Sequence, residues 1–207
     1  MNKTQALAVA GSLSKPSKMP GHAYGTPAEE CQVGSRLRDV PNSVCNGCYA
    51  MKGFYKTYAK TVKPAQYKRL DAALNHPDWV DAMVKLITST RDEYFRWHDS
   101  GDIQSVDHLR RIVKVCEATP NVQYWLPTRE YRYVAQYRKA YGDFPPNLVV
   151  RLSAHMVDGA TADLGLPTST VVTDGSETCP APKQNNECGT CRACWDPNVQ
   201  NVAYKAH

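Results

Sequence analysis

Short apolar runs alternate along this chain with amphipathic stretches, and that alternation constrains the fold more than any other feature. Residues 6–10, 94–98, 122–126, 148–152 and 170–173 are apolar or β-branched at strand length. Helical patterns fill the intervals. Residues 64–74 open with Pro64 at an expected first-turn position and repeat Tyr67, Leu70 and Leu74. Asp78 is placed to cap a helix carrying Trp79, Met83, Val84 and Ile87 on one face. A third helix buries Val106, Leu109, Ile112, Val113 and Cys116, and a fourth, over 130–141, turns Tyr133, Val134 and Tyr137 inward. Strand and helix in alternation imply βα units and a parallel sheet. A full eight-unit barrel takes about 250 residues, whereas this chain has 207. The expectation is therefore an α/β single domain, an incomplete parallel (βα) barrel, with a doubly wound open sheet as the alternative.

The runs end alike. Residues 94–98 lead into "DSGD", 122–126 into "PTRE", 148–152 into "SAH" and 170–173 into "DGSE". In parallel α/β folds the C-terminal edge of the strands is where ligands bind. Those junctions bring His98, Ser100, Gly101, Asp102, Arg129, Ser153 and His155 into one candidate site, with the cysteine-rich loops expected at the same edge. The division expected is a partial barrel over 1–175, containing a cysteine loop at 11–60, and a cysteine-rich tail at 176–207.

No run of about 18 apolar residues exists to span a membrane. The apolar patch at 6–10 is shorter than a signal-peptide core of roughly 7 to 15 residues, so a cytoplasmic protein is expected. In a reducing compartment its eight cysteines point to metal rather than disulfides. Cys188, Cys191 and Cys194 form an overlapping C-x2-C-x2-C run, and Cys179 stands upstream with Pro180 after it. Zinc sites favour two separate pairs; overlapping spacings resemble the run around a [4Fe–4S] cubane. Zinc stays open as the alternative. Cys31, Cys45 and Cys48 form a second set, able to hold three irons of a cubane and leave the fourth open, or to join His22 in a structural zinc site. Cys116, on an apolar helix stripe, reads as a core thiol.

A cluster on four thiolates carries −2 and one on three carries −1, which would bring the formal charge of +5 to roughly +2, a weak global signature for nucleic acid. The local pattern is stronger. Lys52, Lys56, Lys60, Lys63, Lys68 and Arg69 are interleaved with Tyr55, Tyr58 and Tyr67, and no acid lies between residues 51 and 70. Such a segment can meet phosphates and stack bases; a solvated helix face with some buried tyrosines is the plainer reading.

With those residues assembled, "CNGCYAMKGFY", "RWHDSGDIQS", "YWLPTRE", "VVRLSAH" and "CGTCRAC" resemble a bacteriophage family, gene product 88. The architecture is also similar to a compact radical S-adenosylmethionine (SAM) enzyme. That superfamily places three cluster cysteines in the loop after the first strand, commonly with an aromatic beside the last, as Tyr49 is here. The usual C-x3-C-x2-C spacing is replaced by C-x13-C-x2-C, and the glycine-glycine-acid signature is absent in its usual form. The resemblance implies SAM chelated at the open iron, with Ser100, Asp102 and Ser153 at its methionine end and His98, Arg129 and His155 lining the pocket. It also implies an electron donor and a small-molecule or nucleic-acid substrate, in the host cytoplasm. The alternative is a non-catalytic iron–sulfur or zinc-stapled phage protein that binds nucleic acid or a host protein.

Overall fold

In the computed structural model, residues 1–206 are described, with Phe54 as backbone alone. The apolar runs assemble into one six-stranded sheet with every pairing parallel. Its strands are β1 (Ala23–Tyr24), β2 (Tyr94–Trp97), β3 (Gln123–Thr128), β4 (Leu148–Ser153), β5 (Thr168–Val172) and β6 (Asn201–Lys205). They lie side by side in chain order, so β1 and β6 are open edges and the sheet is not closed. The order never reverses, as it does in a doubly wound sheet.

Parallel neighbours need long crossovers, and helices supply the first ones. The helices are α1 (Lys3–Ala10), α2 (Gln32–Leu37), α3 (Gly53–Thr57), α4 (Ala59–Asn75), α5 (Trp79–Thr90), α6 (Val106–Glu117) and α7 (Tyr131–Tyr141). α5 packs on α1 and on α6, and α6 packs on α7, which makes one helical layer against the sheet. Trp79, Met83 and Ile87 of α5 and Leu109, Ile112 and Cys116 of α6 meet alternate strand residues: Phe95 and Trp97, Tyr124 and Leu126, Leu148, Val150 and Leu152. The remaining strand positions point to the other face, which the chain's own tail covers. Trp195 lies edge-on to Tyr94 at 5.7 Å and to Trp125 at 5.2 Å, and its indole N–H donates to the Phe95 carbonyl at 2.9 Å.

Three local expectations change. Residues 6–10 belong to helix α1, not to a strand. Asn2 accepts from the Gln5 N–H while the Gln5 side chain accepts from the Asn2 N–H, a capping box, and Ala6 and Ala10 share the buried face. The first strand is Ala23–Tyr24 instead, two residues and too short to show a period. Pro64 lies inside α4, which begins at Ala59, and not in a first turn. Asp78 precedes α5 as placed but makes no side-chain capping bond. Among the described residues no helix is long and apolar enough to cross a membrane.

Candidate functional site

The loop after β1 is tied down at two points. Its 42–44 stretch runs antiparallel to 155–157 just past β4: the Val44 N–H donates to the His155 carbonyl at 2.9 Å and the Val157 N–H to that of Asn42 at 2.8 Å. At α2, the Val33 N–H donates to Oε1 of the buried Glu130 at 2.7 Å, so a carboxylate from the end of β3 satisfies an orphan amide of the first turn. Gly34, in α2, keeps the thiols close. A Cβ there would meet Cys31 Cβ at 2.9 Å, Cys45 Sγ at 3.6 Å and Cys31 Sγ at 3.7 Å. Burial pushes the Cys31 thiol up, and Asp102, Cys48, Cys45 and Glu130 add to the rise. Three thiols and two carboxyls thus share one electrostatic neighbourhood. Burial pushes the Cys45 thiol up as well, so Cys31 and Cys45 stay protonated unless a metal displaces the protons.

His22 does not join them. It precedes β1, whereas the cysteines follow it, and its Nδ1 lies 2.5 Å from Asp92 Oδ2. In this structure His22 is thus held by Asp92 rather than grouped with the three thiols.

The β2 junction is folded tightly onto β1. The Thr26 N–H donates to the Ser100 carbonyl at 2.8 Å, and Ser100 Oγ donates to the Thr26 carbonyl at 2.9 Å. Gly101 has φ +83°, and a Cβ on it would stand 1.9 Å from Thr26 Oγ1, so no larger residue fits. Asp102 clasps β2 to β3. Its Oδ1 accepts from the Ile103 N–H at 2.8 Å and from Thr128 Oγ1 at 2.6 Å, and its Oδ2 accepts from the Arg129 N–H at 2.9 Å. Burial outweighs those donors and pushes its carboxyl up to about 6.

Beyond β3, Arg129 Nε donates to the Ala154 carbonyl at 3.1 Å, and His155 Nε2 lies 3.2 Å from the Arg129 carbonyl. The His155 ring stacks on Tyr131 at 4.5 Å. Ser153 Oγ accepts from Ser169 Oγ at 3.0 Å, one strand further along. Asp102, Arg129 and His155 therefore form one continuous chain of contacts. His98 departs from it: φ is +55°, and its buried ring meets His108 of α6 at 5.5 Å, towards the helical layer.

The tail builds a second place. Cys179, Cys188, Cys191 and Cys194 line one cavity of about 20 Å³ whose other walls are Pro180, Ala181, Ala193, Trp195 and Val202. The Cys179 N–H donates to the Ala203 carbonyl of β6 at 3.0 Å, and the Cys188 N–H to that of Lys18 at 3.0 Å. Cys194 Sγ lies 3.1 Å from the Tyr204 hydroxyl, and burial pushes its thiol up to about 11. Among the described residues, no three His, Cys, Asp or Glu side chains converge closely enough to hold a single metal ion.

Sequence reasoning placed Glu130 among the converging strand ends without giving it a role, and it missed Arg96 and Arg151. Glu130 stands in "PTRE", and its signal was its place as the first acid after a strand. The two arginines sit within strands, where a charge reads as solvent-facing. Arg151 is nevertheless fully buried, and Arg96 lies 4.5 Å over the Trp125 ring.

No curated protein and no solved structure matches the chain. A family model described as gene product 88 matches residues 2–197, and the chain belongs to the gene product 88 family.

Proposed function

We propose that the chain is an iron–sulfur protein with two [4Fe–4S] clusters on an incomplete (βα) barrel, acting as a radical-SAM-like enzyme in a reducing cytoplasm. The observation that carries the reading is the gathering of all four tail cysteines around one apolar cavity. Its donor set fits a cubane: four thiols, no competing oxygen ligand among the lining residues, and three cysteines at successive spacings of three. The cavity is narrow, with room for about one water.

Cys31, Cys45 and Cys48 would hold the second cluster. A cubane on three cysteines supplies an exchangeable iron and, once reduced, one electron. The chain's own residues do the rest. Asp102 acts on Cys31 and Cys45, and Arg129 acts on Cys45; with Ser100 and Gly101 they would receive the methionine end, and Ser153 and His155 would line the rest of the site. Asp102 Oδ2 accepts one protein donor and keeps a lone pair for an ammonium group. The strand order running from 1 to 6 without reversal also supports the barrel reading.

The test is to add SAM to the reduced, iron-loaded protein, following its electron paramagnetic resonance and looking for 5′-deoxyadenosine. A shifted spectrum with cleavage is expected, and Asp102→Ala should weaken it. No shift at millimolar SAM, with the N-terminal cluster intact, removes SAM from the account and leaves the iron–sulfur reading standing.

A second reading has one observation in its favour. Lys52, Lys56, Lys60 and Lys68 are exposed, and Tyr49, Tyr58 and Tyr67 are 55%, 55% and 43% exposed. That surface adjoins the cysteine loop and suits a nucleic-acid backbone. Nanomolar, salt-resistant binding by a zinc-loaded, iron-free protein would favour it.

A further inference from the structure

The sheet face covered by the tail carries two arginines that each feel a carboxylate, Asp99 for Arg96 and Asp196 for Arg151, without a direct ion pair. Arg96 projects from β2 and Arg151 from β4, and neither forms an ion pair among the described residues. Arg151 donates to four carbonyls: Thr168 and Val199 from Nη1, both at 2.9 Å, and Ala193 and Asp196 from Nη2, at 3.1 and 3.2 Å. Ala193 and Asp196 bracket Cys194. Arg96 is held more loosely. Its Nη2 lies 3.4 Å from the Tyr49 hydroxyl and its Nη1 3.5 Å from the Met19 sulfur, and its Nε has no partner among the described residues.

Asp99 is a carboxylate that acts on Arg96, and it acts on Arg69 as well. Two cations therefore share one acid, and burial pushes that acid's pKa up. A buried charge is costly unless it is paired, so the arrangement is incomplete as an isolated polypeptide.

Arg96 and Arg151 both act electrostatically on Cys194 and Tyr204, and Arg96 acts on Cys188 as well. Packing runs the same way: Arg96 covers Trp125, Trp125 meets Trp195, and Trp195 walls the cavity. A [4Fe–4S] cluster on four thiolates carries about −2 in its oxidised form, and two arginines match it. A third, Arg192, lies within the tail, donating to the Gly189 and Cys191 carbonyls at 2.7 and 2.8 Å.

We propose that Arg96 and Arg151 are built-in countercharges of the tail site, which raise the reduction potential of the cluster held there. This rests on the iron–sulfur reading above. A nearby cation favours the state with the extra electron, so removing it makes the cluster harder to reduce. Arg151 also shapes the tail through its four carbonyls, which makes Arg96 the cleaner probe.

The experiment is a spectroscopically monitored redox titration of the full-length, anaerobically purified protein. Arg96→Gln should lower the tail cluster's potential by about 59 mV, a tenfold fall in the reduced-to-oxidised ratio at fixed poise for a one-electron couple. Arg96→Lys, which keeps the charge and loses the planar stack, should stay near wild type. An unchanged potential in Arg96→Gln overturns the proposal, and so does an equal drop in Arg96→Lys, which would make the effect one of packing. If Arg96→Gln fails to fold, Arg96→Met, of similar length and without charge, is titrated in its place with the same drop expected, and an unchanged potential there overturns the proposal. Wild-type protein free of iron and sulfide overturns the reading beneath, and shows this before any substitution is made.

Discussion

His98 and His108 lie edge to face at 5.5 Å, each almost wholly buried. His108 Nδ1 accepts from the Gln104 N–H at 3.3 Å, while His108 Nε2 and both His98 nitrogens have no partner among the described residues. Burial, with Arg111 close by, lowers His108 to about 3. Burial, then His108 and Arg96, holds His98 well below its usual value. Both rings are therefore neutral when folded and take up protons on unfolding. With the folded pKa below the unfolded one, the stability they contribute is full above about pH 6.5 and is lost as pH falls towards 3. Each site contributes up to about 1.4 kcal/mol per pH unit. His108→Asn keeps an acceptor for Gln104 and removes the titrating ring. Urea unfolding at pH 7 and pH 5 should show the stability difference narrowed by about 2 kcal/mol in the variant. An unchanged difference would mean that the ring already carries a proton in the fold.

At the scale of elements, the tail and the sheet are one structure. β6 pairs with β5 over five residues, Trp195 seals the face over β2 and β3, and Arg151 knits the last turns of the tail to β4 and β5 through four carbonyls. Arg151→Met keeps the length of the side chain and none of its donors, leaving those carbonyls unsatisfied. Its cost should be on the order of 3 kcal/mol or more, since hydrogen bonds to charged groups are the strong ones. Thermal unfolding of the variant measures it, and a loss below about 1 kcal/mol would contradict the role given to Arg151.

The elements also show what could be read in advance. α5, α6 and α7 were legible because Trp79, Met83 and Ile87, then Leu109, Ile112 and Cys116, then Val134 and Tyr137 recur at helical spacing and are buried. β1 was not, because two residues carry no period. β6, "NVAYK", was passed over because it follows a cysteine run and shows too short an alternation. The cysteines were legible from spacing alone. The role of Glu130 was not, nor were Arg96 and Arg151, because their contacts depend on which strands become neighbours.

At the scale of the molecule, a six-stranded parallel sheet carries helices on one face and its own tail on the other. One set of cysteines hangs from the loop after β1, the other from the approach to β6. Arg96 lies 3.4 Å from the hydroxyl of Tyr49, which follows the first set in the chain, and its charge interacts with Cys194 of the second. Everything proposed for the chain depends on what those thiols hold. The direct measurement is a count of iron, acid-labile sulfide and zinc in anaerobically purified protein. The account predicts a brown protein with about eight iron and eight sulfide per chain, two cubanes, and Cys188→Ser should lose about half of that together with folded yield, because cluster binding is also folding energy. A colourless protein carrying about one or two zinc ions per chain and no sulfide would contradict it.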